Sequence, residues 1–207
     1  MIKYYLNSKL LFLALSILIY LTLSLKSYSD DLDGKNKYVV LGKDSAIVKI
    51  KIFSSFTCPH CASFHFEVIP EIKKEYVDNG HVQLIFIDFP LDQAAFNASK
   101  LLHCSDENKQ INFIDTIYLK QKQWTNASNI EDINNNLKEI VRNLGISSAQ
   151  FDQCLIDEVI SDKILDLRIN AHQKYSINST PTIVINEKKL EGSVTFKNIK
   201  KKIEKLI

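Results

Sequence analysis

The chain reads as an α/β protein in which a central sheet is flanked by helices and a helical domain is inserted between a βαβ half and a ββα half. Three observations predict this. The apolar runs Ile47–Phe53 and Val82–Phe89 enclose one stretch of helical periodicity. From about 92 to 176 only helical periodicities occur. Strand character then returns at Thr182–Ile185, ahead of a lysine-rich tail.

The elements follow in order. The N-terminus has the form of an export signal: Lys3 and Lys9 give a basic start, and Leu10–Leu25 is almost wholly apolar. Ser27-Tyr28-Ser29 offers small residues before Asp30, which sets residues 1–29 apart as a signal peptide or an uncleaved anchor. No cysteine lies near this boundary, which argues against a lipoprotein anchor. Residues 30–207 are enough for one domain with a sizeable core.

In Ile47–Phe53, Val48, Ile50 and Ile52 fall on one face and Lys49 and Lys51 on the other. Phe64, Val68, Ile72 and Tyr76 then share a helical stripe, which Pro70 should kink and Gly80 should end. Val82–Phe89 is nearly continuous in its apolar character, as in a strand covered on both faces. Strand, helix and strand at these lengths make a right-handed βαβ unit. The helical block breaks near Ser105-Asp106, Thr125-Asn126 and Gly145, with sets such as Ala94, Ala98 and Leu101 supporting several helices. A weak strand around Lys189-Leu190 follows Thr182–Ile185. Ile199, Ile203 and Leu206 punctuate the lysines of the tail at helical spacing, as a solvated helix requires.

Composition narrows the function. Lys and Arg number 26 against 24 Asp and Glu, a net charge of +2 with both signs interspersed, so nothing argues for nucleic acid. All four cysteines lie in the exported part, and an even count in an oxidising compartment favours two disulfides.

The chemistry concentrates at Cys58-Pro59-His60-Cys61, between the first strand and its helix. A helix start presents unpaired N–H groups and the positive end of the dipole, which favour a thiolate. Thr57 suits the N-cap, Pro59 the first helical turn, and His60 adds positive charge beside the sulfur. A zinc site needs four ligands where this pair supplies two, and no second CxxC or closely spaced His pair exists. Attachment of a c-type haem needs His where Ala62 stands. A purely structural bridge across two residues would constrain little of the unfolded chain. Thiol–disulfide exchange is the reading that remains. Ser179-Thr180-Pro181-Thr182 immediately precedes a strand, where proline is unusual because it cannot donate to the ladder. A cis bond there would set the Thr180 backbone beside Cys58, ready to pair with an extended substrate peptide.

These residues carry a resemblance. The stretch from Phe53 to Cys61, the segment Phe89-Pro90-Leu91-Asp92 and the Ser179–Thr182 turn look like those of DsbA-type thiol–disulfide oxidoreductases, the exported bacterial branch of the thioredoxin superfamily. The likeness runs from about 47 to the C-terminus and implies a thioredoxin-like fold with its helical insertion at about 92–176. It implies that Cys58, Cys61, His60, Pro59, Thr180 and Pro181 form the catalytic site, with Cys58 as the attacking sulfur. Cys104 and Cys154 resemble positions where many relatives carry a second, structural disulfide, expected here over two buried free thiols. His103 is expected on a helix surface. Many relatives carry a buried acid six positions before the first cysteine. This chain has Ile52 there, so Lys51 or an acid elsewhere would have to assist proton movement at Cys61.

A stabilised reduced state makes a disulfide a stronger oxidant, so Pro59-His60 predicts an oxidase. The resemblance implies exported proteins with free thiols as substrates and a quinone-linked membrane reoxidase of the DsbB kind. It implies no organic cofactor and no metal, and a periplasmic location, with membrane anchoring if the N-terminal segment is uncleaved. An isomerase or reductase is a competing reading, but isomerases of this kind commonly dimerise through an extra N-terminal domain. Asp30–Asp44 is too short for one, so a monomer is expected. A non-catalytic exported binding protein on the same scaffold would be free to lose either cysteine or the proline, and this chain keeps all of them.

Overall fold

The computed structural model of the chain describes residues 38–207, and the expected signal or anchor at 1–29 lies outside them. Five strands form one sheet in the order β1-β3-β2-β4-β5. β2 (Val48–Ser54) and β3 (Val82–Asp88) run parallel, with Val48 opposite Val82 and Ser54 opposite Asp88. Parallel neighbours need a crossover, and the helical stretch between them supplies it. β4 (Thr182–Ile185) lies antiparallel on the other side of β2, and β5 (Lys188–Lys189) antiparallel to β4. β1 (Val39–Leu41) adds an antiparallel edge to β3. Periodicity does not reveal β1, because three edge residues are too few to display any.

The crossover is one stripe cut into pieces: α1 (Pro59–Glu67), α2 (Ile69–Ile72) and a π-helical turn, Lys73–Val77. Pro70 explains the break, since it lacks an N–H and its ring crowds the carbonyl four residues back. Val68 therefore turns the chain between α1 and α2, and Pro70 sits in the tolerated first turn of α2. Phe64 and Ile72 still pack with Ile50, Ile52 and Leu84 in one apolar core.

The block between β3 and β4 consists of α3 (Gln93–Cys104), α4 (Gln110–Leu119), α5 (Gln121–Trp124), α6 (Ile130–Arg142), α7 (Ser148–Ile156) and α8 (Glu158–Tyr175). Side chains of Asp92, Asn129, Ser147 and Asp157 accept backbone N–H groups at four of the helix starts. Trp124 is fully buried and donates its indole N–H to the Ile117 carbonyl at 2.9 Å. Cys104 and Cys154 form a disulfide that joins α3 to α7 across 50 residues. The terminal helix α9 (Phe196–Ile203) buries Ile199 and Ile203 and turns its lysines outward.

His103 departs from its expected place on a helix surface. Its side chain is 6% exposed, and Nε2 lies 2.8 Å from Asp88 Oδ2. Ser99, one turn earlier on the same face of α3, donates to Asp88 Oδ1 at 2.6 Å. A carboxylate at the buried end of β3 needs such partners, and the i, i+4 pair Ser99/His103 supplies them.

Lys51 is also buried, against α8 on the face of the sheet opposite Ile52. The β4–β5 hairpin turns through Asn186 (φ 41°) and Glu187 (φ 65°), the backbone of a two-residue type I′ turn. Glu187 holds this conformation while its carboxylate takes hydrogen bonds from Lys51 Nζ and the Tyr175 hydroxyl and pairs with Lys174 at 3.0 Å. Partial burial would raise the Glu187 carboxyl, but the donors Lys51, Tyr175 and Lys174 more than reverse this and hold it at about 2.

Two outcomes follow from these ties. A carboxyl held below its ordinary value stabilises the fold fully above that value and loses the contribution as pH falls toward 2. Glu187→Gln should therefore flatten the fall in thermal midpoint between about pH 4.5 and pH 2, by about 1 kcal/mol or less because the group is half exposed. Replacing Cys104 and Cys154 together by Ala should cost about 4 kcal/mol on urea unfolding, the chain-entropy value for a loop of this length.

Candidate active site

β2 ends at Ser54, and the turn Ser55-Phe56-Thr57 carries the chain into α1. Cys58, rather than Thr57, is the N-cap residue: Pro59 occupies the first helical position, which moves the cap one residue on. Cys58 has extended backbone (φ −78°, ψ 117°), and no side chain caps the helix start. Its sulfur therefore sits at the helix start, where the helix dipole is positive. Thr57 instead donates its hydroxyl to Asp92 Oδ2 at 2.7 Å.

The antiparallel register of β2 and β4 sets Phe53 opposite Thr182. That pairing carries the preceding turn back over the cysteines. The Thr180–Pro181 peptide bond is cis, and Cys58 Sγ donates to the Thr180 carbonyl at 3.4 Å. Cys61 lies one helical turn into α1 and is 2% exposed. Burial pushes its thiol up to about 12, and the neighbouring Cys58 adds to this. Hydrogen bonding with Thr180 and the Ser55 backbone pulls the other way without cancelling it. Pro59 and His60 are exposed at the rim. Cys58, Cys61, Thr180 and Pro181 thus come together, and Cys104–Cys154 stands apart in the helical block.

Gln121 and Tyr118, which sequence reasoning did not single out, hold the turn in place together with Asp92, to which it gave no role. Gln121, the first residue of α5, is buried and donates its amide to two backbone carbonyls, Phe56 at 2.7 Å and Cys58 at 3.0 Å. Tyr118, on α4, packs its ring on Phe56 at 5.2 Å and reaches the Ser55 carbonyl at 3.5 Å. Burial, and then the charge of Cys61, holds the Tyr118 hydroxyl well above the ordinary tyrosine range. Asp92 caps α3 and takes the Thr57 hydroxyl. Alongside them, His65 on α1 meets Asp115 on α4 at 2.6 Å. An amide, a phenol and a cap have no local pattern that marks them as site residues.

Ile52 is buried in the same core as Cys58 and Cys61. Lys51 points to the opposite face, toward Tyr175 and Glu187, and so does not take over the place of the acid. Among the described residues no group of three or more His, Cys, Asp or Glu side chains gathers to hold a metal, and no helix is long and apolar enough to cross a membrane.

A family model described as "Thioredoxin" matches residues 35–205. A "probable disulfide bond formation protein D" of Bacillus anthracis is 32% identical over 170 residues, covering 80% of this chain and 76% of its own. The disulfide bond formation protein D of Bacillus subtilis is 26% identical, covering 80% and 75%. The crystal structure of alpha-DsbA1 from Wolbachia pipientis superposes with a TM-score of 0.74 at 31% identity, covering 82% of this chain and 90% of that one.

The two thiols differ in placement: Cys58 is the N-cap of α1, and Cys61 lies inside the helix with its thiol pushed up by burial. With the protein reduced, iodoacetamide at pH 7 should label Cys58 alone, and labelling of Cys61 should begin only as the pH approaches its raised value of about 12. Peptide mass mapping after a pH series reads this directly.

Proposed function

Since the chain belongs to the thioredoxin family, as a protein-disulfide oxidoreductase of the DsbA type, we propose that it donates a Cys58–Cys61 disulfide to newly exported proteins through a mixed disulfide at Cys58. One observation carries this reading: the Cys58 sulfur sits at a helix start, 3.4 Å from the Thr180 carbonyl beside a cis proline. Catalytic roles follow for Cys58, Cys61, His60, Pro59, Thr180 and Pro181.

In the first step a substrate thiolate attacks Cys58 Sγ. The Cys58–Cys61 bond breaks, its electron pair goes to Cys61, and Cys61 takes up a proton. In the second step the substrate's other thiolate attacks the substrate sulfur of the mixed disulfide, and Cys58 leaves as a thiolate. Two electrons pass from the substrate dithiol to the protein; one of its protons ends on Cys61 and the other goes to solvent, because Cys58 leaves as a thiolate. The helix start and the positive charge that His60 can carry favour the leaving thiolate.

The raised Cys61 thiol supports this direction. Burial keeps Cys61 protonated at pH 7, so it returns slowly to attack the mixed disulfide. In the mixed disulfide the Cys58 charge is gone, but burial, the larger cause, persists. The substrate's second thiol then has time to act.

The Thr180 N–H and C=O suit pairing with an extended substrate segment. A groove of about 450 Å³ leads toward that turn, with Phe89, Leu91, Leu165, Ile169 and Ile177 beside the polar Arg168, His172, Gln173 and Asn178, which suits apolar side chains next to a polar backbone in unfolded clients. The N-terminal segment supports export to the periplasm, with anchoring if it is uncleaved. Turnover then requires reoxidation of the pair, for which we propose a quinone-linked membrane protein of the DsbB kind.

Equilibration with glutathione should place the Cys58–Cys61 couple nearer to about −120 mV than to about −270 mV, the values of a strong oxidase and of a reductase. The oxidised protein should transfer one disulfide per molecule to a reduced, multi-thiol client, and Cys58→Ser should abolish transfer. A potential near the reductase value, or transfer that survives Cys58→Ser, overturns the proposal.

A further inference from the structure

The turn that delivers Cys58 contains two carbonyls whose treatment is unusual. The Cys58 carbonyl accepts the N–H groups of Cys61 at 3.1 Å and Ala62 at 3.3 Å, as the first carbonyl of a helix does. It also accepts from Gln121 Nε2 at 3.0 Å, and the same nitrogen donates to the Phe56 carbonyl at 2.7 Å. One primary amide has two hydrogens on its nitrogen, so each carbonyl can receive its own. Gln121 is 7% exposed, and water is largely excluded from this contact.

We propose that Gln121 is a positioning residue for exchange, which stabilises the charged, reduced form of Cys58 by binding the Phe56 carbonyl and the carbonyl of Cys58 itself. The inference rests on Cys58 as the exchanging sulfur. A carbonyl carries its negative end on oxygen, and one of these oxygens belongs to Cys58 itself. Two donated hydrogens offset that negative charge beside the thiolate in a site of low dielectric, where partial charges count for more than in water. They also hold the peptide planes of 56–58, and with them the place of the sulfur at the helix start. The uncharged disulfide gains little from either effect. Gln121 therefore favours the reduced protein over the oxidised one and makes the couple more oxidising.

The helical block acquires a role through this contact. α5 follows directly from α4, and Trp124, one turn after Gln121, is locked by its indole bond to Ile117. The amide is thus held on a braced support, so it needs no ordering when the thiolate forms.

The test compares Gln121→Met, which removes the donors at similar size, with Gln121→Glu, which keeps the shape and replaces the donors by an acceptor. Both should shift the equilibrium with glutathione about tenfold toward the disulfide form, which is about 30 mV more reducing for a two-electron couple. Alkylation of Cys58 at pH 7 should slow in parallel. Ile140→Val, in the buried core of the same block, is the control for stability alone: its thermal midpoint should fall while the potential stays at the wild-type value. If the Gln121 variants lose thermal stability with potentials within twofold of wild type, the proposal is overturned. Should Gln121→Met not fold, Gln121→Glu decides. A wild-type pair that does not equilibrate with glutathione at all would overturn the exchange reading itself, a result distinct from unmoved variants.

Discussion

The antiparallel pairing of β2 with β4 is the constraint on which the site depends. The cysteine turn extends from the end of β2, and the Thr180–Pro181 turn from the start of β4. Neither is chemically distinctive alone. The register Phe53 to Thr182 and Ile50 to Ile185 brings together residues 122 apart in sequence, so the Thr180 carbonyl meets the Cys58 sulfur. A slip of one residue would turn every side chain of β4 to the other face and carry the proline turn away from the sulfur. Ile183 and Ile185 pack in the same core as Cys58 and Cys61, with Val184 buried on the other face.

Around this axis the helical block acts as a vice on the turn before Cys58. Ser55 receives the Leu91 N–H, Thr57 reaches Asp92, and Gln121 binds the Phe56 and Cys58 carbonyls, so the entry to the block and the start of α5 together touch four residues. A loop ending a strand is usually the most mobile part of such a fold. Here its polar backbone groups are satisfied from a second layer, which keeps the sulfur in one environment through a reaction that alternately adds and removes its charge.

Much of this was legible in the residues. The two strands and crossover of the βαβ unit follow from periods of 2.0 and 3.6, and the position of the cysteine pair from the switch between them. The proline turn is conspicuous because Pro181 stands where a strand begins. Local signals failed where the decisive partner is far away in sequence. Thr57 satisfies the N-cap rule in isolation, but Pro59 moves the cap to Cys58 and Asp92 claims the hydroxyl. His103 looks like a surface residue until β3 ends beside it with an unsatisfied carboxylate. Gln121 has no period, charge or spacing to mark it, since an amide that bridges 63 and 65 residues becomes visible only after folding.

The Lys51–Tyr175–Glu187 cluster has a consequence for how the chain can change over generations. Its members come from β2, α8 and the β4–β5 hairpin: Lys51 is buried, while Glu187 is half exposed and pairs with Lys174 as well. Loss of Glu187 alone leaves an ammonium group with a phenol for company. Loss of Lys51 alone leaves Glu187 half exposed, with the Tyr175 hydroxyl and Lys174 still beside it. Loss of Glu187 is the costlier single step, because a buried ammonium is tolerated only in company. A lysine at 51 should therefore constrain position 187 to an acid more strongly than the acid constrains the lysine, whatever happens to the cysteines on the far side of the sheet.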